Sequence, residues 1–192
     1  MSTERREISD ARAMRAMAHP TRLALLDLLR REGELTASRA AKLLDDSPGN
    51  MSWHLQTLAK YGFVEETGGG KGRSRPWRIA TMRNRFITPP DDPEALAAGD
   101  ALVMLVVERA VQQQRGWLAA HDGYSREWRD AAFLSNSLTY LTAEELLDLS
   151  MEIAELFGRT AERVDKRNRP EGALPVHLTA FGHPLPPTES GN

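Results

Sequence analysis

The stretch SPGNMSWHLQTLAKYGFVEE, residues 47–66, decides the fold. Met51, Leu55 and Leu58 recur at the i, i+4, i+7 spacing of one buried helix face. Ser47 is placed to cap that helix, Pro48 suits its first position, and Gly62 can close it in a left-handed conformation. The opposite face carries Gly49, Asn50, Ser52, Trp53, Gln56 and Thr57, with Lys60 as its only charge. Exposed helix surfaces usually carry Lys, Glu and Arg. Glycine in the first turn also costs stability that alanine would supply. A polar, almost uncharged face bearing a tryptophan therefore needs a reason other than solubility.

Three helices are expected upstream. Residues 9–17 have helical spacing through Ala13, Met14 and Met17. A second helix starts at Pro20, carries a Leu25–Leu26–Leu29 stripe and stops at Gly33. A short third helix follows Thr36, a cap candidate. Downstream, FVEET (63–67) and PWRIAT (76–81) read as short strands around GGGKGRSR (68–75), a Gly-rich basic loop, which together make a projecting hairpin. TPPDDP (88–93) marks a boundary, because three prolines in six residues stop regular structure. A long helix is expected over 93–120, apolar on more than one face around 101–107. AAFLSNSLTYLT (131–142) and LPVHLTAF (174–181) read as strands. Between them, Thr142 and Glu145 form a capping box for a helix that would turn Leu146, Leu149, Ile153, Leu156 and Val164 inward.

The expected organisation is thus a DNA-binding unit over 1–88, a helical dimerisation and regulatory region with a few short strands over 89–183, and a disordered tail over 184–192. The fold class is mainly α (α+β). The N-terminus is charged and lacks a secretory apolar core, and the longest apolar run, ALVMLVV (101–107), is far too short to span a bilayer. The absence of cysteine rules out disulfides and thiolate metal sites and fits the cytoplasm, so a cytoplasmic protein without membrane partners or cofactors is expected. Residues 1–88 carry 16 Lys+Arg against 10 Asp+Glu, whereas residues 89–192 carry 9 against 17. A basic first half joined to an acidic second half points the first half at a polyanion.

A helix, a short turn, a second helix and a basic hairpin make a winged helix-turn-helix. An α-helix fits the major groove of B-DNA, where each base pair shows its own pattern of donors and acceptors. Asn, Ser, Gln and Thr can bond to base edges there. Gly49 would permit close approach to the backbone, and a helix N-terminus attracts phosphate. Lys71, Arg73 and Arg75 on the wing could reach phosphates or a narrow minor groove.

The segment MAHPTRLALLDLLRREGELTASRAAKLLDDSPGNMSWHLQTLAKYGFVEE, with its wing GKGRSRPWRI, resembles the ArsR-type winged helix-turn-helix regulators of bacteria over roughly residues 8–82. That resemblance implies DNA contacts from Ser47, Gly49, Asn50, Ser52, Trp53 and Gln56, with wing contacts from Arg73 and Arg75. It also implies a homodimeric transcriptional repressor of double-stranded DNA, whose flanking helices form the interface. The sequence departs from the metal-sensing members: it has no cysteine, and His19, His54, His121, His177 and His183 show no ligand spacing. The second half resembles the C-terminal extension of longer, actinobacterial-type regulators and leaves room for a small-molecule effector that the sequence does not specify.

Trp53 could turn into the core, but its helical angle lies nearly opposite Met51, Leu55 and Leu58. His54 flanks the inner stripe and reads as a packing or capping residue. The aromatics of the second half, Trp117, Tyr124, Trp128, Phe133, Tyr140, Phe157 and Phe181, read as core and dimer packing before a ligand pocket. A protein-interaction module is the rival function, which an exposed apolar fourth helix and a neutral wing would favour. No enzyme arrangement stands out, so no catalytic residues are expected.

Overall fold

The computed structural model describes residues 6–68, 75–80 and 84–186. Two compact units emerge: Met1–Gln112 with Ala161–Pro175, and Gln113–Thr160 with Val176–Asn192.

The first unit is a winged helix-turn-helix, mainly α-helical. Helices α1 (Ala11–Met17), α2 (Pro20–Glu32), α3 (Ala37–Leu44) and α4 (Pro48–Lys60) enclose one core with a small antiparallel sheet. That sheet runs β2–β4–β3, from β2 (Leu35–Thr36), β3 (Val64–Glu66) and β4 (Pro76–Ile79). Met14, Leu25, Leu29, Met51, Leu55, Leu58, Phe63 and Val64 fill its centre and are essentially inaccessible. Burying a Leu or Met side chain stabilises by about 1.5–3 kcal/mol, so this cluster, rather than helix propensity, holds the short helices in place.

Each helix boundary has a local cause. Asp10 caps α1, and the Thr36 hydroxyl accepts from the Arg39 N–H at 3.2 Å at the start of α3. His19 caps α2, its Nδ1 accepting from the Thr21 N–H at 3.2 Å. Gly33 (φ 83°) follows α2 and Gly62 (φ 69°) follows α4. At Gly62 a side chain would also collide with the Arg6 guanidinium, which donates to the Gly62 carbonyl at 3.0 Å.

The sequence did not reveal a parallel pair formed by β1 (Arg6–Ile8) and β5 (Asn84–Phe86), with Ile8 opposite Phe86. Parallel strands need a long connection between them. Here the connection is the winged unit itself, and a three-residue strand with mixed polarity carries too little pattern to be read in advance. Helix α5 (Pro93–Ala120) has its expected 28 residues. Its residues 93–112 belong to the first unit, burying Ala95, Ala98, Gly99 and Leu102. A Cβ on Gly99 would clash with the Thr88 methyl, so this glycine sets the close approach. Arg109 ties α5 to Asp27 of α2 at 2.7 Å, and Lys166 pairs with Glu32 at 3.2 Å.

The second unit corrects several expectations. It contains α6 (Arg126–Ala131), which the sequence reading missed, and α7 (Ala143–Gly158), opened by the expected capping box: the Thr142 hydroxyl accepts from the Glu145 N–H, and the Glu145 carboxylate accepts from the Thr142 N–H at 2.7 Å. Helix α7 stops at Gly158, so Val164 lies beyond it in a 3₁₀ turn, and Leu149 and Leu156 are exposed rather than inward. Residues 132–142 and 173–186 form no strand among the described residues. Their alternation is real, but a strand exists only against a partner, which the described chain does not supply. For the same reason Phe133, Tyr140 and Phe181 are not core residues; they stand 79%, 99% and 69% exposed. Residues 187–192, most of the expected disordered tail, lie outside the described residues. No helix among the described residues is long and apolar enough to cross a membrane.

Candidate nucleic-acid interface

Helix α3 ends at Asp45, which takes the left-handed conformation (φ 52°). Aspartate tolerates that conformation better than most residues, so it serves here where glycine is usual. The Asp46 N–H then reaches back to the Ala41 carbonyl at 3.0 Å, and Ser47 begins the next helix. Three residues thus turn the chain between α3 and α4, helices that pack closely together.

This is a helix-turn-helix arrangement, and comparison with known families agrees. Residues 17–67 match the family model of a helix-turn-helix domain. The match covers 51 of the chain's 192 residues, so it speaks for the DNA-binding regulator class and not for a particular family. A search of the curated proteins finds no match.

The domain presents α4 with a sharp division of faces. Met51, His54, Leu55 and Leu58 are buried. Ser47, Gly49, Asn50, Trp53 and Gln56 are exposed and Ser52 is half-buried. Trp53 is 56% accessible, with its ring edge-on to His54 at 4.8 Å between centroids. It therefore lies outside the core. The Thr57 hydroxyl donates to the Trp53 carbonyl at 2.9 Å, which satisfies it on its own helix.

The first turn of α4 is already organised. The Ser47 hydroxyl accepts from the Asn50 N–H at 3.1 Å, so Ser47 is a cap whatever else it contacts. Asp46, not singled out from sequence, accepts from the Ser47 N–H at 2.6 Å and from the Asn50 amide at 2.8 Å. These bonds, the backbone one first, hold the Asp46 carboxyl below the usual carboxylate range. Asn50 is thereby pre-oriented, with one amide N–H already engaged by Asp46. The signal was visible in the DDSPGN run, where an acid precedes an N-cap serine.

Strands β3 and β4 form the wing's base, with Val64 opposite Ile79 and Glu65 opposite Arg78. Cross-strand pairing places opposite charges together: Arg78 meets Glu65 at 2.8 Å and Arg75 meets Glu66 at 2.9 Å. Both pairs are substantially exposed, so each is weak and a phosphate can compete for the arginine. Lys71 and Arg73, the other expected wing contacts, lie outside the described residues.

Beneath the exposed face sits a basic cluster that the sequence only hinted at in HPTR. His19 and His54 lie with ring centroids 4.7 Å apart and their planes tilted by 49°. Arg22, buried, donates to the Arg15 carbonyl at 3.2 Å. Burial, then the neighbouring Arg22 charge, lowers the His19 pKa; burial, His19 and Arg22 lower that of His54, with Asp46 opposing. Both rings are thus favoured neutral in the folded domain, while the unfolded chain takes up protons from about pH 6.5 downward. Their contribution is intact above pH 6.5 and is lost as pH falls below it. Denaturant midpoints should therefore drop between pH 7.5 and pH 5.5, and a His19→Asn/His54→Gln variant should show a flatter dependence over that interval. An equally steep dependence in the variant would assign the acid sensitivity to other groups.

Proposed function

We propose that the protein is a sequence-specific regulator of transcription, a homodimeric repressor similar to ArsR-type proteins, which inserts α4 into the major groove of double-stranded DNA. Asn50, Ser52, Trp53 and Gln56 face the bases, Ser47 and Gly49 lie against the backbone, and Lys71, Arg73 and Arg75 hold phosphates from the wing. Two such helices would enter successive major grooves about 34 Å apart on a pseudo-palindromic operator. The second unit would complete the dimer and could respond to a small-molecule effector.

The observation that carries this reading is Gly49. No atom lies within 4 Å of a Cβ built there, so nothing inside the described chain requires glycine. Alanine would serve a helix better, by up to about 1 kcal/mol. A residue that costs stability without an internal reason supports a close approach from outside, beside an exposed face rich in hydrogen-bonding groups. Gly49→Ala should therefore move two measurements in opposite directions. Denaturant stability should stay level or rise by up to about 1 kcal/mol, while affinity for the operator falls about tenfold, the size of one lost good contact. Unchanged affinity in the more stable variant would remove Gly49 from the interface.

A further inference from the structure

The second unit has the side chains of a core but no core. Among its described residues none is buried. Two of its segments combine strand-like alternation with free backbone. Residues 133–141 and 176–182 take part in no backbone–backbone hydrogen bond among the described residues. Along the first segment, Leu134, Leu138 and Tyr140 share one face of the alternation, with Asn136 among them, and are 91%, 77% and 99% exposed. An apolar, unpaired edge of this kind templates pairing with another strand.

We propose that residues 133–141 pair antiparallel with the same residues of a second copy across a two-fold axis at Ser137, so that the second unit becomes complete only in the dimer. This rests on the homodimer reading above and names the surface that forms it. Three observations select a second copy as the occupant. First, residues 132–142 contain no Asp, Glu, Lys or Arg. Self-pairing about a two-fold axis sets identical or near-identical positions opposite each other, and like charges there would repel; none exist. Second, centring on Ser137 puts Phe133 opposite Leu141, Leu134 opposite Tyr140 and Ser135 opposite Thr139, so two of the four distinct cross-pairs are apolar and one is hydroxyl to hydroxyl, and Asn136 opposite Leu138 is the single mixed pair. A one-residue slip would set opposite faces of the strand together. Third, residues 132–142 contain no proline, so every residue of the segment keeps the N–H that a ladder needs. Phe133 and Tyr140 alternate to opposite faces of the ribbon, so the aromatic on a covered face contributes about 150–250 Å² from each copy toward the roughly 1,000 Å² that a specific interface needs. The exposed Leu149 and Leu156 of α7 offer cover for one face of the ribbon.

The chain has no cysteine, so a single introduced thiol reports this contact alone. Directly opposed residues of an antiparallel pair lie within disulfide reach. Ser137→Cys protein, mildly oxidised, should convert almost wholly to a species of twice 21.4 kDa, whereas Ser38→Cys on α3 should not. Alternate wild-type amides along 133–141 should be protected from exchange, and Leu138→Lys/Tyr140→Lys should weaken the dimer at least about 100-fold while α2 and α4 stay protected. A dimer that crosslinks no better through residue 137 than through residue 38, or that survives the double lysine substitution, would overturn this interface and leave the homodimer reading standing. A monomeric wild type at micromolar concentration would overturn both.

Discussion

Leu55→Ala is expected to destabilise the winged unit by about 2–5 kcal/mol, the range for deleting a fully buried leucine and leaving part of its cavity. Leu55 is 1% exposed and lies between α4 and the rest of the core, among Met51, Leu58 and the other members of the central cluster. Its loss removes packing where α2, α3 and the sheet meet α4, and little nearby can collapse into the space because the neighbours are themselves fixed by short, capped elements. Small domains retain only about 5–15 kcal/mol of net stability, so this single change would consume much of it. The measurement is denaturant unfolding, with hydrogen exchange at α2 and α4 as the local readout. A loss below about 1 kcal/mol would show that the α4 interface is looser than its burial implies.

One residue further on, the opposite pattern is expected. Gln56 and Trp53 share the exposed face of α4 and hold no part of the core. A Trp53→Ala/Gln56→Ala variant should fold with stability within about 1 kcal/mol of wild type, as exposed substitutions usually do. Specific contacts to bases are worth about 1–3 kcal/mol each, so affinity for the selected operator should fall about 100-fold or more. Affinity for an unrelated duplex should change by less than about threefold, because phosphate contacts supply that binding. Equal losses on both duplexes would make the face a general docking surface and remove its reading role. The two variants together separate fold from function on a single helix.

Much of this division was legible in the sequence because α4 obeys simple periodicity. Met51, Leu55 and Leu58 announce the buried side, and Ser47, Pro48 and Gly62 announce the ends. The wing strands followed from short apolar runs around glycines. What stayed hidden depended on partners far along the chain. The β1–β5 pair joins residues 78 positions apart, such as Arg6 and Asn84, and neither strand has a pattern of its own. Asp46 gained its role only once the α3–α4 turn brought its carboxylate to the Asn50 amide. Glu65 and Glu66 became partners of Arg78 and Arg75 through sheet register. Further along the chain, periodicity marked residues 131–142 and 174–181 as strands, and the described residues form none there, because a pattern records what a segment can do against a partner and not whether the same chain provides one.

On the proposed function, the outer face of α4 reads DNA sequence. Selection of bound fragments from a random duplex library, performed on wild type and on the Trp53→Ala/Gln56→Ala variant in parallel, tests it most directly. Wild type should enrich one pseudo-palindromic motif whose half-sites lie about one helical turn, 10–10.5 base pairs, or a multiple of it apart, and the variant should retain fragments at low salt without enriching that motif. Recovery of the same motif by both proteins, or of no motif by wild type, would contradict it.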